Sequence, residues 1–152
     1  MPIEPRSLET ARLYVGNKDE SLDVYQTRAG LIAVSTVADA TKPGANEDSA
    51  VVVPVGPDHL VLVVADGVGG MAQARKASNI TVNAIRDALK KVIEFNGRRL
   101  RAAILDGIES ANRSVLDLGS GAASTLALAE IGPDSVRTYH VGDSALMMCS
   151  QR

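Results

Sequence analysis

The spacing of apolar residues changes its period along this chain, and that change limits the folds it can adopt. Val-rich segments at residues 49–55 and 60–65 are typical of strands, and the turn residues Gly56-Pro57-Asp58 between them predict an antiparallel hairpin. Apolar residues then recur every three or four positions over residues 72–94 and 100–118, which predicts two amphipathic helices. On the first helix the predicted apolar face consists of Ala77, Ile80, Ala84, Ala88 and Val92.

Further strands are predicted on both sides of the helices, so strands and helices fall into separate runs. One lies at residues 31–37, and three follow the helices at residues 124–131, 135–141 and 145–149. Separate runs of this kind favour an α+β fold with an antiparallel sheet over an alternating parallel α/β fold. Residues 1–28 are polar with weak periodicity, and we predict an N-terminal extension there, including one strand at residues 11–15, followed by a domain at residues 29–152.

Composition and charge argue against several classes of partner. The 152 residues carry 16 basic and 18 acidic side chains, a net charge of −2 that does not suit nucleic-acid binding. The longest apolar run, residues 60–65, is too short to cross a membrane, and the N-terminus lacks an apolar signal region. The single cysteine, Cys149, cannot form an intrachain disulfide. We therefore expect a soluble, cytoplasmic and monomeric protein without nucleic-acid or membrane partners.

Two groups of carboxylates flank the predicted hairpin strands. Asn46-Glu47-Asp48 precedes the first strand, and Asp66 follows the second, directly before Gly67-Val68-Gly69-Gly70. In an antiparallel hairpin the start of one strand lies beside the end of the next, so these carboxylates should lie close together. A cation is the natural partner of a desolvated carboxylate, and the Gly67 carbonyl could turn toward the same ion. Oxygen ligands suit hard cations such as Mg²⁺ or Mn²⁺.

Other interpretations of these residues exist. An Asp before a Gly-Gly turn is often a turn or helix-capping residue, and Asn-Glu-Asp can be a solvated turn. The Gly-x-Gly-Gly segment at residues 67–70 is not a phosphate-binding P-loop, because no Lys-Ser/Thr pair follows at the required distance. A dinucleotide-binding fold is also disfavoured, because the helix pair is not followed by a parallel strand with an acidic end.

Five segments of the sequence form a recognisable set when taken in order. They are Asn46-Glu47-Asp48, Ala65-Asp66-Gly67-Val68-Gly69-Gly70, Ala77-Ser78, Ser124-Thr125-Leu126 and His140-Val141-Gly142-Asp143-Ser144. Together they resemble the metal-dependent protein serine/threonine phosphatases of the type 2C (PPM) family. The resemblance covers about residues 31–152 and implies a four-layer α/β/β/α sandwich of antiparallel sheets flanked by helix pairs. The element order of this chain fits the first half of that sandwich, so a C-terminally truncated domain is expected.

The resemblance implies hydrolysis of phosphoserine or phosphothreonine in a phosphoprotein substrate. Two divalent cations, Mg²⁺ or Mn²⁺, would activate the water that attacks phosphorus. In this sequence Asp66 would bridge both metals, Glu47 and the Gly67 carbonyl would bind one of them, and Asp48 would orient a metal-bound water. Ala77-Ser78 is expected only to provide a small surface for packing the helix on the sheet.

Two departures from the family pattern affect the site residues. The family usually has an Arg three residues before the Asn of Asn-Glu-Asp, to hold the substrate phosphate; Pro43 stands here, and Lys42 could contact the phosphate instead as a point charge. The family's remaining metal-binding aspartates lie beyond the last residue, so the second metal site would be incomplete and this chain nearly inactive alone. The alternative is a non-catalytic pseudophosphatase module that binds a phosphoprotein or a regulatory partner.

Overall fold

The computed structural model describes residues 3–16, 20–41, 46–92, 97–119 and 121–150. Within these ranges it contains two helices, α1 (Met71–Lys90) and α2 (Gly97–Leu116), and nine strands. The strands are β1 (Arg6–Ser7), β2 (Arg12–Val15), β3 (Ser21–Thr27), β4 (Gly30–Thr36), β5 (Asp48–Val55), β6 (His59–Val68), β7 (Ala123–Ser124), β8 (Leu126–Ile131) and β9 (Val136–Val141).

The larger sheet is antiparallel and has the order β2-β5-β6-β8-β9, with β7 pairing beside the end of β6. Its centre is the predicted hairpin, in which β5 and β6 pair along the whole length of β5. Because successive side chains of a strand point to opposite faces, Val51, Val53, Val61 and Val63 form one buried face, which packs with residues of α1 and α2 in a single core. The two helices therefore cover one side of this sheet.

A smaller sheet with the order β1-β3-β4 covers the other side. Its Tyr25 and Ile32 form a second core with Val52 and Leu60 of the larger sheet. All of its pairing is antiparallel except the two-residue parallel contact between β1 and β3. The predicted α+β class is confirmed, and the described residues provide helix, sheet and sheet layers.

The N-terminal strand expected at residues 11–15 is present as β2, which pairs with β5. The same N-terminal segment also supplies β1 and β3, which the sequence did not indicate. The inward side of β3 carries Asp23 and Tyr25, and the Tyr25 hydroxyl lies 2.7 Å from that of Tyr14. Because these inward residues have polar groups, the sequence of β3 does not show the alternation of apolar and polar residues that is typical of a strand. The domain boundary at residue 28 remains a prediction, although β3 and β4 on either side of it pair with each other.

The predicted apolar face of α1 is partly wrong. Ala77 is buried, but Ile80, Ala84 and Ala88 are only half-buried and line a groove between α1 and α2. The buried face of α1, which packs against the sheet, is rotated about the helix axis relative to the predicted face. It consists of Ala74, Ala77, Ser78, Thr81, Val82, Ile85 and Leu89. The cause is that α1 contacts both a sheet and a second helix, which widens its apolar arc beyond one stripe.

The strand predicted at residues 145–149 is not formed. Met147 and Met148 are 88% and 84% exposed, and no strand in the described ranges pairs with this segment. Alternating apolar residues alone do not make a strand, because its backbone groups need a ladder partner. Neither α1 nor α2, as far as the chain is described, has an apolar stretch that could cross a membrane.

Candidate metal centre

Asp48 and Asp66 face each other at the end of the central hairpin. They are the last partners in the β5–β6 register, and they lie on the face that carries Ala50 and Val64, toward the smaller sheet. They line a cleft of about 390 Å³ that also includes the end of β4, Asn46 and Ser144. Like charges placed directly opposite across a ladder repel each other, so a cation between them would stabilise this arrangement.

The Asn46-Glu47-Asp48 segment is tied to its surroundings by side-chain hydrogen bonds. The Asp48 N–H donates to Asn46 Oδ1 at 3.0 Å, and Asn46 Nδ2 donates to the Val37 carbonyl at 3.3 Å, just after β4. From the other side, the buried Ser78 hydroxyl of α1 donates to the Glu47 carbonyl. The segment is thus joined to the smaller sheet through Asn46 and to the helix layer through Ser78.

Thr125, between β7 and β8, holds the backbone of Asp66. The Asp66 N–H donates to Thr125 Oγ1 at 2.9 Å, and the Thr125 N–H donates to the Asp66 carbonyl at 2.8 Å. The Thr125 hydroxyl also lies 2.6 Å from the hydroxyl of Ser144, while His140 Nε2–H donates to the Ser144 carbonyl. This hydrogen-bonded chain links the turn after β9 to the backbone of Asp66.

Gly67 is required by packing. A Cβ at this position would lie 1.9 Å from the carbonyl oxygen of Ala74, in the first turn of α1, so only glycine fits there. Successive carbonyls of an extended strand point to opposite sides, and that of Asp66 accepts the Thr125 N–H on the β8 side. The Gly67 carbonyl is therefore directed to the β5 side, where Glu47 precedes the first ladder residue, Asp48.

The structure brings some of the predicted site residues together. Asp48 and Asp66 are opposed, and Glu47 and Gly67 each lie one residue beyond that pair. Within the described part of the chain, no group of three His, Cys, Asp or Glu side chains is gathered to hold a metal ion. Lys42, the predicted phosphate contact, lies outside the described residues. The metal and phosphate roles of these residues remain predictions.

Three hydroxyl residues around the carboxylates were not predicted to support the site. Ser78 was assigned only to packing, and Thr125 and Ser144 were only members of matching segments. Ser78 and Thr125 are 0% and 4% exposed, and a buried hydroxyl requires a hydrogen-bond partner. For Ser78, the signal in the sequence was a polar residue next to the predicted apolar face of α1, where a buried hydroxyl would need a hydrogen-bond partner. Asp143 is exposed in the turn after β9.

Comparison with known proteins identifies the relatives of this chain. The family model described as protein phosphatase 2C matches residues 39–152. A Streptococcus agalactiae serine/threonine phosphatase has a similar fold, with a TM-score of 0.51 and 20% identity over 88% of this chain and 48% of its own. No curated protein sequence matches.

Two further solved structures are similar to this chain. The Mycobacterium tuberculosis phosphatase PstP, in a structure described as a complex with two manganese ions, has a TM-score of 0.48 and 23% identity over 88% of this chain and 50% of its own. A Toxoplasma gondii phosphatase 2C has a TM-score of 0.48 and 17% identity over 94% of this chain and 46% of its own. The chain thus spans about half the length of these solved chains.

Proposed function

Because the chain belongs to the protein phosphatase 2C family, we propose that it forms part of the catalytic domain of a metal-dependent protein serine/threonine phosphatase. The substrate would be a phosphoserine or phosphothreonine side chain in a phosphoprotein. The observation that carries this proposal is the direct opposition of Asp48 and Asp66 at the mouth of a cleft between the two sheets. The cytoplasmic location and the monomeric state remain predictions.

The donor atoms at this end of the hairpin are all oxygens, which fits a hard cation better than a soft one. Asp66 would be a ligand of two cations, Mg²⁺ or Mn²⁺, and Glu47 and the Gly67 carbonyl would be further ligands of one of them. A pair of such cations lowers the pKa of a bound water and neutralises charge on the phosphate. Of the ligands proposed here, the second cation would have Asp66 alone.

The remaining residues of the proposal act on water and substrate. Asp48 would accept a hydrogen bond from the attacking water and so orient it toward phosphorus. Its backbone is held by Asn46, which limits the directions in which the carboxylate can point. Lys42 would contact the phosphate as a single positive charge and would give a less directional contact than a guanidinium.

The test is Mn²⁺ binding by calorimetry combined with hydrolysis of a phosphothreonine peptide. We expect the 152-residue chain to bind Mn²⁺ and to hydrolyse the peptide slowly at most, because Asp66 would be the single carboxylate proposed for the second cation. Asp66→Asn should abolish binding, and Asp58→Asn, at the far end of the same hairpin, should leave it unchanged. Hydrolysis that persists in excess chelator would contradict the metal mechanism.

The same experiment separates the phosphatase from a non-catalytic module. A pseudophosphatase would bind the phosphothreonine peptide without binding Mn²⁺, and Asp66→Asn would not change its affinity for the peptide. If binding of the peptide is instead strengthened by Mn²⁺ and lost in Asp66→Asn, the phosphatase assignment is supported.

A further inference from the structure

The peptide group that joins Glu47 to Asp48 is held at both of its polar ends by side chains. Its carbonyl oxygen, which belongs to Glu47, accepts a hydrogen bond from the hydroxyl of Ser78. Its N–H, which belongs to Asp48, donates to Asn46 Oδ1 at 3.0 Å. One peptide group between two carboxylate residues is therefore fixed from the helix layer on one side and from the preceding turn on the other.

Rotation of this peptide would redirect both carboxylates together. Turning it changes ψ of Glu47 and φ of Asp48, the two dihedral angles that set how the flanking side chains leave the backbone. Asp48 begins the β5–β6 ladder, and Glu47 is the residue directly before it. A hydrogen bond that opposes this rotation therefore limits the orientation of both Glu47, proposed to bind a cation, and Asp48, proposed to orient water.

Ser78 belongs to a hydrogen-bond network with Ser49 and Asn79, in which Ser78 is the donor to the Glu47 carbonyl. The Ser49 hydroxyl lies 2.9 Å from that of Ser78 and 2.7 Å from Asn79 Oδ1, to which it can donate. Each hydroxyl supplies one proton; Ser49 can give its proton to Asn79, and Ser78 gives its own to the Glu47 carbonyl, which lies closer to it than its other acceptor, the Arg75 carbonyl of the same helix at 3.2 Å. If the Ser78 hydroxyl is removed, Ser49 still has Asn79 as a partner, and the Glu47 carbonyl loses its hydrogen bond from the helix layer.

We propose that Ser78 is a positioning residue, which holds the Glu47–Asp48 peptide so that both carboxylates point at the metal site. The inference rests on the proposed phosphatase function and adds to it a residue from the helix layer. Ser78 itself is fully buried in α1 and acts through the backbone of Glu47.

The test compares Ser78→Ala with Thr81→Val, measuring Mn²⁺ affinity by calorimetry and the melting temperature of each variant. Thr81 is a matched control, because its buried hydroxyl lies one turn further along α1 and donates only to the Ala77 carbonyl of the same helix. Loss of a residue that orients a metal ligand typically weakens metal affinity 10–100-fold. We expect Ser78→Ala to weaken Mn²⁺ binding by about tenfold, Ser78→Thr to restore it, and Thr81→Val to leave it unchanged.

Equal Mn²⁺ affinity in Ser78→Ala and Thr81→Val would overturn the positioning role and leave the phosphatase proposal intact. If the unmodified chain does not bind Mn²⁺, the phosphatase proposal fails, and hydrogen exchange of the Asp48 amide then decides the role of Ser78. Faster exchange in Ser78→Ala than in Thr81→Val would support the role, and equal exchange would overturn it. If Ser78→Ala does not fold, Asn46→Ala replaces it with the same expected results, because it releases the other end of the same peptide.

Discussion

Thr125 satisfies both backbone polar groups of Asp66. Its hydroxyl accepts the Asp66 N–H at 2.9 Å, and its N–H donates to the Asp66 carbonyl at 2.8 Å. In regular sheet pairing a backbone carbonyl would accept the Asp66 N–H, and here the Thr125 hydroxyl accepts it instead. The backbone that carries the Asp66 carboxylate therefore depends on one hydroxyl group that is 59 residues away in the sequence.

Thr125→Val is expected to destabilise the protein by about 1–3 kcal/mol, because it leaves the Asp66 N–H without its acceptor while preserving the shape of the side chain. Urea unfolding measures this change. Thr125→Ser, which retains the hydroxyl, is expected to lose less stability. Equal losses in the Val and Ser variants would assign the effect to packing of the Thr125 methyl group, which lies close to Gly142.

Asp66→Asn is expected to change thermal stability in opposite directions with and without metal. In excess chelator it removes the repulsion between the opposed Asp48 and Asp66 carboxylates, and the melting temperature should rise by about 2 °C. With Mn²⁺ present, the variant should lose the stabilisation that metal binding gives the unmodified chain. A lower melting temperature in chelator would contradict the repulsion.

Gly67→Ala is expected to cost about 3 kcal/mol or more, because the added methyl group would overlap the carbonyl of Ala74 and force α1 away from β6. Gly70→Ala, three residues further on and directly before α1, is the matched control, since a Cβ there meets no atom within 4 Å. Urea unfolding of both variants tests the difference, and similar midpoints would show that α1 can move freely relative to β6.

The Tyr14 hydroxyl is expected to make stability fall at high pH. Burial and the hydrogen bond with Tyr25 raise the pKa of Tyr14 above its ordinary value of 10.0. Unfolded chains therefore release this proton at a lower pH than folded ones, so the stabilisation is complete below pH 10 and is lost as pH rises above it. Tyr14→Phe should flatten the decline in stability measured by urea unfolding between about pH 9 and pH 11.

The local patterns of the sequence predicted the part of the site that depends on strand pairing. Two Val-rich strands joined by a short turn place Asp48 near Asp66, because pairing counted back from the turn brings the two ends together. The α+β class followed from the order of the periodic segments in the same way. These inferences need only neighbouring elements, for which sequence spacing is a good guide.

The contacts that hold the carboxylates could not be predicted from local patterns. Ser78 reaches Glu47 across 31 positions, and Thr125 reaches Asp66 across 59, so both contacts depend on how α1 and β8 pack on the hairpin. The strand predicted at residues 145–149 failed for the same reason, since pairing depends on a neighbour that periodicity does not reveal. β3 was missed because Tyr25 is buried with its hydroxyl paired to Tyr14.

The turn at residues 56–58 lies at the opposite end of the hairpin from the carboxylates, eight register pairs from Val55–His59 to Asp48–Asp66. At the usual rise per residue of a strand, this separation is about 24 Å. Inserting one residue in the turn would shift the pairing by one position, and the two carboxylates would then point to opposite faces of the sheet. The length of this turn, at the far end of the hairpin, therefore determines whether the two acidic side chains lie on the same face of the sheet.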